Sequence, residues 1–318
     1  MYLKENNAAR KISVVIPVYN NEASLKILYD RIISSIKSYN NSFNHELVFI
    51  NDGSRDNSFI ILKELYEKDP KGVVLINFSR NFGQMAGILA GWKYATGDAV
   101  INISADLQDP PEQIEKMLHE WENNYEIVVN YREARNDDLS SALTSKIAYR
   151  LFKYSLPNLP PGGFDFALLD RKAMDAINSI TEKNRFYQAD ILWVGFTIKY
   201  LPYVRDKRIH GKSGYNFVKR FGNFARAFLN VSYFPIRLIS LVGFLTAASG
   251  FAYSLTILYA YFFQETPFQG WAPLMMVMLI VGGLIMIMLG VIGEYIWRIY
   301  DEVKYKPNYV IKDLYKAP

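Results

Sequence analysis

Over its first two hundred residues the chain alternates short apolar runs with stretches of helical spacing. Ile12-Ser13-Val14-Val15-Ile16-Pro17-Val18-Tyr19-Asn20 predicts a strand, and the proline near its end predicts that the strand stops at a rim. Leu25, Leu28, Ile32, Ile33 and Ile36 then recur every three or four residues, as a helix requires. Further strands are predicted at 47–50, 73–77, 99–103 and 127–130, with helices between them, one of them over 84–95. A strand that is one continuous apolar run is buried on both faces, so strands of this kind alternating with helices predict a mostly parallel sheet. The expected architecture of residues 1–205 is therefore a doubly wound, Rossmann-like α/β domain.

The last third follows another pattern. Phe217, Phe221, Phe224 and Phe228 recur at helical spacing with Lys219, Arg220 and Arg226 between them. Phenylalanines so spaced are usually core, but two apolar runs begin a few residues later. That context favours a helix lying in a membrane interface, within a basic amphipathic segment over 206–233. Residues 238–263 carry no charge and 271–292 form a second apolar run, each long enough to cross about 30 Å of hydrocarbon. A transmembrane hairpin over 234–298 is expected, followed by a tail over 299–318. Arg237 precedes the first run, and Arg298, Lys304, Lys306, Lys312 and Lys316 follow the second, whereas the link 264–270 has no Lys or Arg. The positive-inside rule then places the α/β domain and both termini in the cytoplasm, on a multi-pass protein of the inner (plasma) membrane. Residues 1–10 are polar and lack a signal-peptide core. The net charge of +5 is concentrated around the apolar runs, which points to an anionic membrane surface and not to nucleic acid. With no cysteine, disulfides and thiolate metal sites are excluded.

Candidate chemistry gathers at the predicted strand ends. Acidic turns stand after three strands: Asn20 with Glu22, Asp52, and Asp106 within Ser104-Ala105-Asp106-Leu107-Gln108-Asp109-Pro110-Pro111. In open α/β sheets ligands bind beyond the carboxyl ends of the strands. Hard oxygen donors there suit Mg²⁺ or Mn²⁺ holding a phosphate, and an acidic surface turn is the plainer alternative. No GxGxxG follows the first strand and no GxxxxGK[ST] occurs, so neither a dinucleotide fingerprint nor a P-loop is supported. His45, His119 and His210 lie far apart and form no metal motif. Pro160-Pro161-Gly162-Gly163-Phe164 is a constrained loop from which Asp165 emerges, either as a turn residue or as a site carboxylate among apolar neighbours. Arg205, Arg208, Lys212 and Ser213 form a cluster that is either a solvated face or a phosphate binder.

Several motifs, in order along nearly the whole chain, resemble one family. These are Val15-Ile16-Pro17-Val18-Tyr19-Asn20-Asn21-Glu22, Asn51-Asp52-Gly53-Ser54, Ser79-Arg80-Asn81-Phe82-Gly83-Gln84 and Ala105-Asp106-Leu107-Gln108-Asp109-Pro110-Pro111-Glu112, joined by Gly163-Phe164-Asp165-Phe166, Gly211-Lys212-Ser213 and Gly293-Glu294-Tyr295-Ile296. Together they resemble the polyprenyl-phosphate glycosyltransferases of glycosyltransferase family 2, the dolichol-phosphate-mannose-synthase-like enzymes in their bacterial two-helix form. The resemblance implies a GT-A fold and inverting transfer of one sugar from a nucleotide sugar, UDP-glucose foremost, to a polyprenyl phosphate, undecaprenyl phosphate foremost. It implies that Pro17, Tyr19, Asn20, Glu22 and Asp52 hold the nucleotide. Asp106 and Gln108 would hold Mg²⁺ or Mn²⁺, and Arg205, Arg208, Lys212 and Ser213 the acceptor phosphate. Asp106 and Asp165 are the implied catalytic carboxylates. A homo-oligomer is compatible with the sequence but not specified by it.

Two departures stand out. The family more often shows Asp-x-Asp, and Ser104 occupies the first position here. Ala167 stands where many relatives carry an arginine, so that phosphate contact is either missing or supplied by Arg171 or Arg185. A processive polysaccharide synthase is disfavoured, because it would carry QxxRW and more membrane helices. A catalytically inactive membrane scaffold that kept the fold is the remaining alternative, motivated by Ser104.

Overall fold

The computed structural model describes residues 10–132, 156, 158–160, 163–183, 185–204, 234–263, 271–304 and 306–317. The chain forms two compact units, Met1–Phe224 with Pro307–Pro318, and Ala225–Lys306.

The first unit is built on an eight-stranded sheet. Its strands are β1 (Lys11–Val18), β2 (Asn44–Asn51), β3 (Val73–Phe78), β4 (Ala99–Asn102), β5 (Ile127–Arg132), β6 (Phe166–Asp170), β7 (Ile198–Tyr203) and β8 (Ile311–Tyr315), in the order β7-β5-β6-β4-β1-β2-β3-β8. The helices are α1 (Leu25–Tyr39), α2 (Ser58–Lys68), α3 (Gln84–Tyr94), α4 (Gln113–Glu122), α5 (Arg171–Asn178) and α6 (Tyr187–Trp193). β1 pairs in parallel with β2 and β4, β2 with β3, and β5 with β7. β6 runs antiparallel to both β4 and β5, and β8 antiparallel to β3.

Successive residues of β1 serve opposite faces. Ile12, Val14 and Ile16 join Leu28, Ile32, Phe49, Ile114 and Leu118 in one core, whereas Val15 joins Ile50, Ile88, Trp92, Met174 and Ile177 in the other. Each fully buried side chain of this size contributes roughly 1.5–3 kcal/mol, so a sheet covered on both faces is what the continuous apolar runs require. α3 lies close on β1 because Gly87 and Gly91 leave room for it. A Cβ at Gly91 would stand 2.2 Å from Val15 Cγ1. At the amino end of the sheet Glu46 is buried but saturated: it accepts from Lys11 Nζ (2.8 Å), Ser13 Oγ (2.5 Å), Thr96 N (2.7 Å) and Thr96 Oγ1 (2.7 Å). Burial raises its pKa, and these four donors together outweigh that and hold the carboxyl below its ordinary value.

Two strands lie where the sequence pattern is weak. β7 contains Pro202, which the sheet tolerates because β7 is an edge strand. The segment 299–318, taken from its sequence as one tail, divides in the structure. Its first residues finish a long helix, and Ile311–Tyr315 join the eight-stranded sheet of the first unit as β8.

The second unit contains α7 (Phe234–Phe263, 30 residues) and α8 (Trp271–Val303, 33 residues), which pack on each other where Gly243 faces Met288. Among the described residues one stretch, Ile280–Val303, is long and apolar enough to cross a membrane, with mean hydropathy 1.9. α7 contributes the shorter apolar stretch Leu238–Tyr253. Phe244, Met286 and Ile287 stand well exposed on these helices.

Candidate active site

The strand directions create one chemically crowded rim. The carboxyl ends of β1, β2, β3, β4, β5 and β7 share it, and because β6 runs the other way, its amino end arrives there too. In the β4–β6 register Asn102 faces Ala167. The turn after β4 and the residue before β6 are linked there through β5 and β7: Tyr203 lies opposite Arg132 in the β5–β7 register and reaches Asp109, and Arg132 donates to Asp165.

On the β1–β2–β3 side the predicted nucleotide residues join three loops together. Asn20 adopts a left-handed conformation (φ 55°), donates its N–H to Ser54 Oγ (3.1 Å) and accepts from Arg55 N at its side-chain oxygen (2.8 Å). Glu22 accepts from Asn57 N (2.9 Å) while its own N–H donates to Asp56 (3.1 Å), and Asp56 also accepts from Ser58 N at the start of α2. Asp52 is buried, and its carboxylate accepts from Phe82 N (2.6 Å) and Gly83 N (2.9 Å) ahead of α3. Burial pushes the Asp52 carboxyl above its ordinary value, and the two backbone donors offset only part of that rise. Gly53 is held at φ 66°, where a Cβ would meet Asn81 N at 2.6 Å and Arg80 C at 2.7 Å. Pro17 lies beneath Gly87, and Tyr19 is 44% exposed. The carboxylates of Glu22 and Asp52 are thus occupied by backbone N–H groups, which accounts physically for two of the three acidic turns.

The β4–β6–β5 side is different. Asp106 is half-buried, accepts from Gln108 N at 3.2 Å and precedes Leu107, whose φ is 59°. Asp165 receives three donors: Tyr187 Oη at 2.6 Å, Gln188 Nε2 at 3.3 Å and Arg132 Nη2 at 3.2 Å. The Arg132–Asp165 pair is about a third exposed on each partner. Burial works against the charge of Arg132, but its hydrogen bond to the Tyr203 oxygen, together with the charges of Asp165 and Asp109, keeps its pKa above the ordinary value. Tyr203 in turn donates to the buried Asp109 at 2.5 Å. Tyr187 is driven well above its ordinary value by burial first and by Asp165 second, so its hydroxyl stays a donor.

Arg132, Tyr187, Gln188, Asp109 and Tyr203 carry no role in the sequence reading. Arg132 was legible in principle, because it stands just beyond the apolar run 127–130, at a strand end like Asp106. Tyr187 and Tyr203 have no comparable signal, since the tertiary fold alone brings them there: Tyr187 reaches Asp165 from the start of α6, and the β5–β7 register sets Tyr203 opposite Arg132. The expected replacement for the missing arginine is corrected. Ala167 is fully buried inside β6, Arg171 donates to Ala95 O and Gly97 O, and Arg185 is held by Asp190, Ile177 O and Ile180 O. Arg132 is the described cation beside Asp165. Arg205, Arg208, Lys212 and Ser213 lie outside the described residues.

Among the described residues no three His, Asp or Glu side chains group as a closed metal cage. An open site has different needs: Mg²⁺ is commonly held by one or two carboxylates plus waters and substrate phosphates. Asp106, the Gln108 amide and the Ser104 hydroxyl are hard oxygen donors on one half-buried turn, and they fit that kind of ion.

The chain is similar to several known proteins. The family described as Glycosyl transferase family 2 matches residues 13–178. An uncharacterized glycosyltransferase of Bacillus subtilis, YkcC, is 39% identical over 95% of this chain and 94% of its own. The SfII prophage-derived bactoprenol glucosyl transferase of Shigella flexneri is 35% identical over 96% of this chain and 99% of its own. Among solved structures, glucosyl-3-phosphoglycerate synthase from Mycobacterium tuberculosis with Mn²⁺, UDP and phosphoglyceric acid has a TM-score of 0.48 at 17% identity, covering 70% of this chain and 77% of that one.

Proposed function

Because the chain belongs to glycosyl transferase family 2 and is a glycosyltransferase of GT-A fold, we propose that it transfers one glucose from UDP-glucose to undecaprenyl phosphate with inversion. The observation that carries this reading is the linkage, through Tyr203, of the turn that holds Asp106 and Asp109 to the Asp165–Arg132 pair. It is supported by bactoprenol glucosyl transferases that match over nearly the full length. The donor lies over the loops of Tyr19, Asn20, Asp52 and Ser54, with its diphosphate toward Asp106 and Gln108. Asp106 and Gln108 would hold Mg²⁺ or Mn²⁺, which would supply charge neutralisation for the departing nucleoside diphosphate.

In the transfer an acceptor phosphate oxygen attacks the anomeric carbon, a new C–O bond forms, and the bond to UDP breaks with its electron pair leaving on UDP. A phosphate monoester has a second pKa of about 6, so near neutral pH the acceptor is already largely a dianion and no proton has to be removed. That suits Asp165. With Tyr187, Gln188 and Arg132 all donating to it, its part is to orient Arg132 and the acceptor instead of abstracting a proton. Arg132 neutralises the incoming phosphate, together with Arg205, Arg208, Lys212 and Ser213 from the basic segment.

The acceptor's chemistry asks for a membrane. α7 and α8 cross the inner membrane as a hairpin, with the catalytic unit and both termini on the cytoplasmic side. The apolar stretches Ile280–Val303 and Leu238–Tyr253 and the Lys/Arg flanks support this placement. The test is incubation of the full chain in lipid nanodiscs with undecaprenyl phosphate, Mg²⁺ or Mn²⁺, and labelled UDP-glucose, UDP-N-acetylglucosamine or GDP-mannose. Labelled lipid from UDP-glucose is expected. Labelled lipid from another donor alone would refute the sugar assignment, and no labelled lipid from any donor would refute the transfer.

A further inference from the structure

The strand that follows the second unit reaches the loops of the donor side through a row of three side chains. Asn51, Asn77 and Asp313 occupy paired positions on β2, β3 and β8, so they lie side by side across three strands. Asn77 Nδ2 donates to Asp313 Oδ2 at 2.7 Å, and Asn51 Nδ2 donates to Asn77 Oδ1 at 2.8 Å. Asn51 Oδ1 then accepts from Ser54 N at 3.3 Å. Asn51 and Asn77 are both buried.

The direction of this row is set from one end. An ionised carboxylate only accepts, whereas an amide side chain can present either its oxygen or its NH₂. Asp313 therefore draws the NH₂ of Asn77, which turns the Asn77 oxygen toward Asn51. That oxygen draws the NH₂ of Asn51 and leaves the Asn51 oxygen for Ser54 N. Were either amide reversed, two donors would oppose each other in a buried place, at the cost of an unmade hydrogen bond.

Ser54 is where the donor-side loops join. Its hydroxyl accepts from Asn20 N, and the neighbouring Asp52 holds Phe82 and Gly83 through its carboxylate and Asn81 through its carbonyl oxygen. The segment leading into β8 is fixed at the same level: Ser79 N donates to Val310 O at 3.0 Å, and Tyr309 stacks on Phe78 with ring centres 5.1 Å apart.

We propose that β8 is a positioning element of the nucleotide site, with Asp313 acting through Asn77 and Asn51 to set the turn 52–54 against a nucleoside diphosphate. This rests on the proposed placement of the donor over those loops. Asp313 touches no substrate, so it is a positioning residue.

The experiment uses the full chain in lipid nanodiscs and measures UDP binding by calorimetry, KM for UDP-glucose and for undecaprenyl phosphate, and the unfolding midpoint. Asp313→Ala removes the acceptor, and Asp313→Asn restores one through its side-chain carbonyl. Asp313→Ala is expected to weaken UDP binding about tenfold, on the scale of one charge-assisted hydrogen bond, with Asp313→Asn within about threefold of wild type. KM for UDP-glucose is expected to rise with the UDP Kd, and KM for undecaprenyl phosphate to stay unchanged. UDP binding by Asp313→Ala within about twofold of wild type would overturn the inference. So would both KM values rising in the same proportion, the mark of general loosening. Wild-type protein that binds neither UDP nor GDP would overturn the donor-site placement, and this inference with it.

Discussion

Asp165→Asn separates holding the fold from doing the chemistry. The amide keeps one oxygen of the same shape, which can still accept from Tyr187 and Gln188. Its NH₂ then faces Arg132, so donor opposes donor and the ion pair is gone. The pair is about a third exposed on each partner, and pairs that open to solvent are worth about 0.2–1 kcal/mol. Stability should therefore fall by about 1 kcal/mol or less, a drop of roughly 2–4 °C in unfolding midpoint for a unit of this size. A loss that small leaves nearly all molecules folded, so stability alone predicts no visible change in rate. If Asp165 and Arg132 orient the acceptor phosphate, turnover should instead fall about a hundredfold or more, equivalent to about 2.7 kcal/mol in the barrier. The assay is initial-rate transfer of labelled glucose to undecaprenyl phosphate beside a melting curve on the same preparation. Arg132→Gln should cost a similar factor, and the double variant should be no worse than the poorer single one, because both break one unit. Asp165→Asn with turnover within about threefold of wild type, or a rate loss that merely tracks unfolding, would refute the reasoning.

Other expectations follow from the same geometry. Asp106→Ala should abolish turnover, and chelation of divalent ions should do the same to the wild type, with Mg²⁺ or Mn²⁺ restoring only the wild type; wild-type rates in Asp106→Ala would sink the metal assignment. Gly53→Ala and Gly83→Ala both place a side chain at positive φ, costing about 1–2 kcal/mol each. Only the Gly53 Cβ also meets backbone, at 2.6 Å from Asn81 N, so Gly53→Ala should melt lower and bind UDP more weakly than Gly83→Ala. The opposite order would contradict the close approach of the two loops. Glu46→Gln should cost about 2 kcal/mol near neutral pH. Because the folded-state pKa of Glu46 lies below 4.5, its contribution is present above that pH and is lost as the pH falls through the lower, folded value. The stability gap between variant and wild type, measured by denaturant titration, should thus close only in acid, and a gap independent of pH would count against the ion pair as its source.

The parallel half of the sheet was legible because each of its strands is buried on both faces and writes itself as an unbroken apolar run. The predicted 73–77 and 99–103 differ from β3 and β4 by a residue at one end. β7 and β8 were not legible, for they are edge strands. Ile311-Lys312-Asp313-Leu314-Tyr315 alternates in exposure over only five residues, and Pro202 interrupts β7. In the site, Asp106 and Asp165 could be singled out because a carboxylate after a strand or a constrained loop is unusual. The work of Asp52 and Glu22 in binding backbone N–H groups could not, since it depends on which loops stand beside them. Arg132 was within reach, and its partner Tyr203 was not. A tyrosine in an edge strand carries no mark of the buried aspartate it touches.

The position of β8 in the chain has a consequence for how the protein is made. Asn77 and its partner Asp313 are 236 residues apart. At about 5–20 residues per second, roughly 10–50 s of synthesis separate them. Throughout that interval β3 is a bare edge, open to pairing with any other extended chain, and the residues of both long helices leave the ribosome before the strand that covers it. The sheet is therefore completed only after the apolar helices have been delivered, and the loop carrying Ser54 gains its last support at that moment. Protease sensitivity of nascent chains of increasing length would locate the step: protection of the segment around Asn77 should appear only once residues 311–315 have emerged.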